Sequence, residues 1–177
     1  MLRQVLPTLS ALLVTTAAMA ADDLTTADHL AAMTLGVADG AVVMVLGSEA
    51  ATVERTAPGT FKGVVLTDGT AYELSFVETE PCMFQATFAW EGDAFSVRFH
   101  PRNIETVEFL RPQSGAQFTR FQVQLTGGPE MVLSQEAGEW VDAGDTTPIG
   151  TTLALDQLQA AAAEVLKACP YGAATES

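Results

Sequence analysis

The two cysteines are the residues of this chain with the most clearly defined chemistry. Cys82 lies in the run TEPCMFQATFAW, and Cys169 lies near the C-terminus. A two-residue period puts Cys82 on the same strand face as Phe84 and Phe88, and helical spacing puts Cys169 on an apolar stripe, so both face inward. An even cysteine count in an exported chain favours a disulfide over two buried thiols. We therefore predict a Cys82–Cys169 disulfide that pins a C-terminal helix across a sheet.

Other residue types with catalytic or metal-binding chemistry form no convincing pattern. A nucleophilic Cys82 needs a base such as His100 and an electropositive setting, but acidic residues flank it. Two histidines, His29 and His100, are too few for a His-rich metal site. The acids between Glu136 and Asp145 lack the spacing of a calcium loop. Phosphate-binding loops and nucleophile elbows are also missing. We predict no catalytic residue, metal or cofactor, and lean towards a protein that is not an enzyme.

The charge distribution limits the partners. Acidic residues outnumber Lys and Arg by 22 to 8, which gives a net charge of −14. Such a chain is poorly suited to nucleic acid or anionic lipid. Most basic residues fall in the central part of the sequence, and there we place a candidate contact surface of Arg98, His100, Arg102 and Arg120.

The first twenty residues have the pattern of a secretory signal peptide. Arg3 precedes the apolar stretch VLPTLSALLVTTAA, and Ala18-Met19-Ala20 puts small residues before a cleavage site. The alternative is a retained membrane anchor, but a spanning helix needs about 20 apolar residues, and no stop-transfer charges follow. We expect residues 1–20 to be removed and 21–177 to form one exported domain, periplasmic or extracellular, with no stable membrane anchor.

The rest of the chain predicts a helix, a series of strands and a second helix. Thr26 is the expected N-cap of the first helix and Gly36 its end. The period then changes to two, with turn residues about every ten positions. Asp68-Gly69 predicts a type I′ hairpin that makes its flanking strands neighbours. The strand-like runs are AVVMVL, ATVERT, FKGVVL, AYELSFVE, CMFQATFAW, AFSVRFH, NIETVEFL, QFTRFQVQL and EMVLSQ.

The C-terminal part predicts a long loop followed by the second helix. The segment EAGEWVDAGDTTPIGTT is polar and rich in glycine, so we interpret it as a loop, in which Trp140 has no assigned role. Thr152 is the expected cap of the last helix, and Pro170 cannot continue it. The predicted fold class is α+β: a curved antiparallel β-meander of eight or nine strands, with a short N-terminal helix and a C-terminal helix packed on the sheet.

Two hypotheses about function follow from these features. The first is an exported, non-catalytic module that binds a protein or envelope partner. The alternative is a carrier of a small apolar ligand in a pocket of the curled sheet, although the same side chains could simply fill a core, which is the commoner arrangement. An exported hydrolase has no support from motifs. The residues expected to line such a pocket are Phe61, Leu66, Phe76, Phe84, Phe88, Phe95 and Phe99.

The N-terminal pattern makes a prediction about processing. Protein isolated from its own host should begin at Ala21, because a signal peptidase cleaves after small residues at the end of the apolar stretch. Intact-mass measurement checks this. A mass that corresponds to a chain starting at Met1 in most molecules would contradict the signal-peptide interpretation.

Overall fold

An antiparallel sheet of eleven strands and two α-helices make up the residues that the structure, a computed structural model, describes: 24–45 and 49–172. The predicted signal peptide and its cleavage site lie outside this part of the chain. The elements are α1 (Thr26–Leu35), β1 (Val42–Val45), β2 (Glu49–Ala57), β3 (Thr60–Val65), β4 (Ala71–Glu80), β5 (Met83–Trp90), β6 (Asp93–Phe99), a 3-10 helix (Pro101–Asn103), β7 (Ile104–Ser114), β8 (Thr119–Gly127), β9 (Val132–Glu136), β10 (Glu139–Asp142), β11 (Thr146–Thr151) and α2 (Leu155–Ala168).

The strands form one curled sheet in the order β10-β9-β6-β5-β4-β3-β2-β1-β11-β8-β7. Strands β1 to β6 form a meander, as predicted, but the prediction that the meander continues through the later strands is wrong: β6 pairs with β9, and β7 lies at the far edge of the sheet beside β8. The β9–β10 hairpin extends it beyond β6, whereas β11, β8 and β7 extend it beyond β1. All neighbouring strands are antiparallel. The α+β class is therefore confirmed, but the described residues form eleven strands rather than eight or nine.

The two additional strands, β10 and β11, occupy the segment that we interpreted as a long loop. Trp140 pairs with Gln135 across a tight turn at Ala137 and Gly138, both of which have positive φ. Strand β11 pairs with β8 along its whole length. These strands are short and polar, and β11 contains Pro148, so they lack the apolar alternation that marks a strand in sequence. Their pairing partners decide their conformation.

The β3–β4 hairpin is present, but its turn differs from the prediction. The flanking strands pair as expected, with Gly63 opposite Tyr72. A type I′ turn requires positive φ at both Asp68 and Gly69. Only Gly69, at φ 79°, has it. The connection is a four-residue turn over 66–69, in which the Gly69 N–H donates to the carbonyl oxygen of Val65 at 3.0 Å.

The N-cap of helix α1 is Thr25, one residue before the predicted Thr26. Its hydroxyl accepts a hydrogen bond from the Asp28 N–H, and the Asp28 carboxylate accepts one from the Thr25 N–H, which completes a capping box. Gly36 ends the helix as predicted, in the left-handed conformation at φ 69°. Helix α1 lies against the sheet, and Leu30 and Met33 are fully buried in the core.

Helix α2 packs mainly against α1, with further contacts to β7 and the 3-10 helix. Its N-cap is Ala154 rather than Thr152, and the Gln157 side chain accepts from the Ala154 N–H at 2.9 Å. The Thr152 hydroxyl instead accepts from the N–H of Val42 at 3.0 Å. The helix ends at Cys169, directly before Pro170, where the sequence predicts its end.

The predicted disulfide between Cys82 and Cys169 is present, with 5.7 Å between the Cα atoms. Cys82 lies in the turn between β4 and β5 at φ 59° and Cys169 is buried. Cross-linking so long a loop stabilises a fold by about 4 kcal/mol in the chain-entropy description. A disulfide is consistent with export to an oxidising compartment. Neither described helix has the length and apolar character needed to cross a membrane.

The buried carboxylate of Asp28 joins α1 to the sheet. It accepts from Arg55 Nε and Nη2 on β2 at 2.8 and 2.9 Å, and from the Gly59 N–H in the β2–β3 turn at 2.9 Å. Burial alone would raise the pKa of Asp28, but the hydrogen bonds from Arg55, Thr25 and Gly59 outweigh it and lower the pKa below its usual value. The carboxylate is therefore charged and fully paired in the folded protein.

Gly59 permits this close approach. Its φ is +65°, and a Cβ at this position would lie 2.6 Å from the carbonyl oxygen of Phe76 and 2.8 Å from the Cβ of Ala27. A side chain here would therefore push α1 away from the sheet. The N-terminal end of α1 is thus fixed to the end of the sheet that carries the β2–β3 turn.

Replacing Asp28 by Asn should lower the free energy of unfolding by about 3 kcal/mol at pH 7, because it removes the negative charge from a buried ion pair that Arg55 makes through two nitrogen atoms. The folded-state pKa of Asp28 is depressed, so its contribution is present above the unfolded value of about 3.9 and is lost as the pH falls through the lower folded value. The difference between the two proteins should therefore shrink below pH 4. Urea unfolding at pH 7 and pH 3 measures it.

Asp156→Asn is the matched control, since this aspartate is exposed in the first turn of α2. It should change stability by less than about 1 kcal/mol. An equal loss from both substitutions, or a loss for Asp28→Asn that is independent of pH, would contradict the role given to Asp28.

Candidate functional site: an apolar pocket in the curled sheet

The six-stranded meander has two different ends. The β2–β3 and β4–β5 turns lie at one end, where α1 and the disulfide are attached. The β3–β4 and β5–β6 turns lie at the opposite end, because successive connections in an antiparallel meander alternate between ends. At this second end the concave face of the sheet contains a pocket of about 320 Å³.

The pocket is lined almost entirely by apolar side chains. Its walls come from the β1, β3, β4, β5, β6 and β11 strands and from the end of α1 and the residues after it. Among the described residues in contact with the pocket, only Thr70, Tyr72 and Trp90 carry a side-chain N or O atom. The full lining is Leu35, Val37, Val43, Met44, Val45, Val65, Thr70, Tyr72, Leu74, Phe88, Trp90, Phe95, Pro148 and Ile149.

Aromatic rings form the wall on the β5–β6 side. The rings of Phe88 and Phe95 stack with their centroids 4.5 Å apart, and Trp90 meets Phe95 edge-on at 5.9 Å. Phe95 is 47% exposed to solvent, which places it at the mouth of the pocket. The opposite wall is aliphatic, and there β1 and β11 are joined by a single residue pair, Val43 with Thr151. Because β1 and β11 share only this pair, their hydrogen-bonded ladder does not extend to Val45 and Ile149, and both of these side chains line the pocket.

Tyr72 is the polar residue with the most unusual environment in the lining. Its ring lies over Gly63, where a Cβ would overlap both the ring and the hydroxyl group, so only glycine leaves room for it. The hydroxyl is buried and has no hydrogen-bond partner. Burial raises the pKa of Tyr72 to about 12, so the phenol is neutral at physiological pH. An unsatisfied hydroxyl of this kind is destabilising by about 1 kcal/mol or more.

The structure divides the seven residues that we expected to line a pocket. Phe88 and Phe95 do line it. Phe61, Phe76, Phe84 and Phe99 are buried in the core, with Phe76 and Phe99 stacked at 6.0 Å. Leu66 is 52% exposed. Core filling is therefore the right interpretation for four of the seven. The aliphatic wall was missed, and the run VVMV of β1 was its clearest signal in the sequence.

A second cavity, of about 650 Å³, lies between the two helices and the sheet. Asp28, His29, Asp39 and Arg55 line it. The Asp28 carboxylate is already occupied by Arg55, Thr25 and Gly59, and Asp39 accepts from the Arg55 N–H at 2.9 Å. The polar groups of this cavity therefore hold the helices on the sheet. We assign it a structural role.

The residues of the predicted contact surface lie on three different elements. Arg98 on β6 places its guanidinium 4.0 Å from the centre of the Trp140 ring, and its Nε donates to Gln85 at 3.4 Å. This contact gives Trp140 the role that the sequence did not reveal. Arg120, on β8, lies beside Phe118 next to the β7–β8 turn, whereas Arg102 is in the 3-10 helix that precedes the opposite end of β7.

His100 and Arg102 are half-buried next to the disulfide end of the sheet. His100 Nε2 and the Nε and Nη1 atoms of Arg102 are buried without a hydrogen-bond partner. Burial lowers the pKa of His100, Arg98 acts in the same direction, and Glu130 and Glu80 oppose them. Neither residue lines the apolar pocket or the cavity between the helices and the sheet.

In the described part of the chain, no group of three or more His, Cys, Asp or Glu residues is arranged to hold a metal ion. Comparison with family models, with curated proteins and with solved structures finds no match for this chain. Any statement about function therefore depends on the pocket and the surface themselves.

The unpaired hydroxyl of Tyr72 makes a prediction about stability. Tyr72→Phe should leave the free energy of unfolding unchanged at pH 8 or raise it by up to about 1 kcal/mol, because it removes a buried group that has no partner. Since burial raises the folded pKa of Tyr72 from 10 to about 12, the free energy of unfolding falls as the pH rises through that interval, because the tyrosine ionises first in the unfolded chain. The variant should not show this decrease in the free energy of unfolding above pH 10. Urea unfolding at pH 8 and above pH 10 tests both statements.

Tyr171→Phe is the control, because Tyr171 is the other tyrosine and is 51% exposed. It should have little effect at pH 8. If Tyr72→Phe lowered stability by more than about 1 kcal/mol at this pH, the hydroxyl must make a stabilising hydrogen bond, and our description of the site would be wrong.

Proposed function

We propose that this protein is a carrier that binds a small apolar molecule in the pocket at the open end of the meander. The observation that carries the proposal is the pocket itself: about 320 Å³ of space within walls that are nearly all hydrocarbon. Small-molecule sites typically start at about 300 Å³ and combine apolar walls with few polar groups. The volume corresponds to about ten water-sized groups.

The expected affinity follows from the apolar surface that a ligand would bury. Burying about 300 Å² of ligand and wall surface together is worth about 7 kcal/mol. The loss of translational and rotational freedom reduces this gain. We therefore expect a Kd in the micromolar range or weaker for a simple apolar probe, with the stacked rings of Phe88 and Phe95 favouring aromatic ligands.

The composition of the lining supports binding rather than hydrolysis. Acyl or glycosyl transfer needs a nucleophile or carboxylate placed within reach of a base or acid. Thr70, Tyr72 and Trp90 supply the polar side-chain atoms of the described lining. Thr70 hydrogen-bonds the exposed carboxylate of Asp68, the Tyr72 hydroxyl has no partner, and no described lining residue is a His, Lys or Cys that could complete a catalytic group with them. We therefore propose the carrier, which was the alternative of the two sequence-based hypotheses, ahead of the module that binds a protein or envelope partner.

A protein-binding module is the second candidate. The observation that favours it is the contact between Arg98 and Trp140, both of which are half-buried at the surface. Arginine and tryptophan are the residue types most enriched in the energetic centres of protein interfaces. Alanine substitution of Trp140 should weaken such a partner and leave the pocket unaffected.

A substitution that blocks the pocket tests the carrier hypothesis. The fluorescence of N-phenyl-1-naphthylamine, a neutral dye, increases in apolar surroundings, so it reports binding directly. Thr70→Trp should reduce the affinity at least tenfold, because the larger side chain occupies space at the mouth. Thr67→Trp is the matched control, since Thr67 is exposed in the same turn and does not line the pocket. It should bind like the wild type.

Native mass spectrometry of protein purified from its host supplies the second measurement. A retained small molecule of fitting size would support the carrier, and a stoichiometric polypeptide would support the interaction module. Absence of dye binding to the wild type, or equal binding to the wild type and Thr70→Trp, would refute the pocket as the ligand site.

A further inference from the structure

We infer that the pocket selects electrically neutral molecules and rejects anions of the same shape, including fatty-acid carboxylates. This inference rests on the proposed carrier function and adds the chemical class of its ligand. It depends on two independent features: the absence of a charged partner within the described walls, and the acidic residues at the same end of the sheet as the mouth.

The interior offers nothing that could stabilise a negative charge. Among the described residues that line the pocket there is no Lys, Arg or His. Tyr72 is a neutral phenol, and Thr70 lies at the rim. Moving a carboxylate or sulfonate from water into such surroundings without a counter-ion is strongly unfavourable. An amphipathic anion could therefore enter only with its charged group left at the mouth.

Carboxylates occur in the turns at the same end of the sheet as the mouth. Glu91 lies in the β5–β6 turn and Asp93 starts β6, so both fall in the chain between the lining residues Trp90 and Phe95. Asp68 lies in the β3–β4 turn that leads to Thr70. Glu49 starts β2 opposite Val45, and its carboxylate accepts from the Thr67 hydroxyl at 3.1 Å. Each of the three segments that join strands at this end of the sheet thus carries or adjoins at least one acid, although none of these acids lines the pocket itself.

The basic residues nearest to this end of the sheet do not make its net charge positive. Lys62 is exposed on the outer face of β3, where it shares a groove with Glu73, Glu91 and Asp93. Arg120 is opposite Gly150 in the β8–β11 ladder, but it is exposed and its guanidinium lies beside Phe118. The whole chain carries a net charge of −14, which adds to the local field.

The two features exclude an anion for different reasons. If the anionic group of a ligand enters the pocket, it finds no cationic side chain there. If the group stays at the mouth, the carboxylates of Glu49, Asp68, Glu91 and Asp93 repel it. Four like charges at about 10 Å in water reduce the affinity of an anion about tenfold at low salt. The ligands that remain are neutral: alcohols, esters, ketones, hydrocarbons and uncharged aromatic molecules.

Two dyes that differ by one sulfonate test this selectivity. N-phenyl-1-naphthylamine is neutral, and 8-anilinonaphthalene-1-sulfonate is its anionic counterpart. Fluorescence titration of the full protein at pH 8 and low salt should give a Kd at least tenfold lower for the neutral dye. Added NaCl should narrow the gap by strengthening binding of the anionic dye, because the mouth charges are screened. The affinity for the neutral dye should change much less.

Neutralising the mouth supplies the matched variant. Glu91→Gln combined with Asp93→Asn should strengthen binding of the anionic dye about threefold and leave the neutral dye unaffected. Glu105→Gln is the control, because Glu105 is exposed at the start of the edge strand β7, which contributes no residue to the pocket, and the substitution still changes the net charge. It should change neither affinity.

The outcomes separate the inference from the function on which it rests. If neither dye binds, the carrier itself is refuted. If both dyes bind with similar affinity, or if the anionic dye binds more tightly, the carrier stands and selection for neutral ligands is refuted. Tight binding of the neutral dye alone, with the expected response to salt and to the double substitution, supports both.

Discussion

The buried carboxylate of Asp28 determines where the first helix lies, and the rest of the fold depends on that position. The two carboxylate oxygens accept hydrogen bonds from Thr25, Arg55 and the Gly59 N–H, so a single side chain caps the N-terminus of the helix, pairs with a buried guanidinium and holds the β2–β3 turn. Removal of the Arg55 charge would leave the buried Asp28 carboxylate without its counter-charge in a poorly solvated place. Helix α2 then packs mainly on α1, and the disulfide fastens its C-terminal end to the β4–β5 turn.

These attachments all lie at one end of the six-stranded meander, and the asymmetry explains the pocket. At the attached end, Phe61, Phe76, Phe84 and Phe99 fill the concave face. Towards the other end, α1 has already stopped at Gly36, and β1 and β11 pair through only one residue pair. The concave face there has apolar side chains but too few of them to close the space. The Asp28 network and the pocket thus lie at different ends of one sheet, so the pocket can be altered without disturbing that network.

Several features of the site could be predicted from local sequence and others could not. The alternation in β5 and β6 correctly put Phe88 and Phe95 on an inward face, because side-chain direction in a strand has a period of two. The same rule could not tell them from Phe84 and Phe99, which have the same alternation and are buried. That distinction depends on whether a helix covers the residue. The contact of Arg98 with Trp140 was equally inaccessible, since it joins strands separated by forty residues of chain.

Sequence alone determined the α+β class, the meander of the first six strands, both helices and the disulfide partners, because each depends on short-range periodicity, helix-ending residues or an even cysteine count. Tertiary structure decided the rest. It placed β11 between β1 and β8, made strands of a polar segment with no apolar alternation, and moved the α1 cap to Thr25, where Asp28 could reach Arg55 and Gly59. Whether an inward-facing ring fills a core or lines a pocket is also a tertiary property, since it depends on what packs against the ring and not on the residues beside it in the chain.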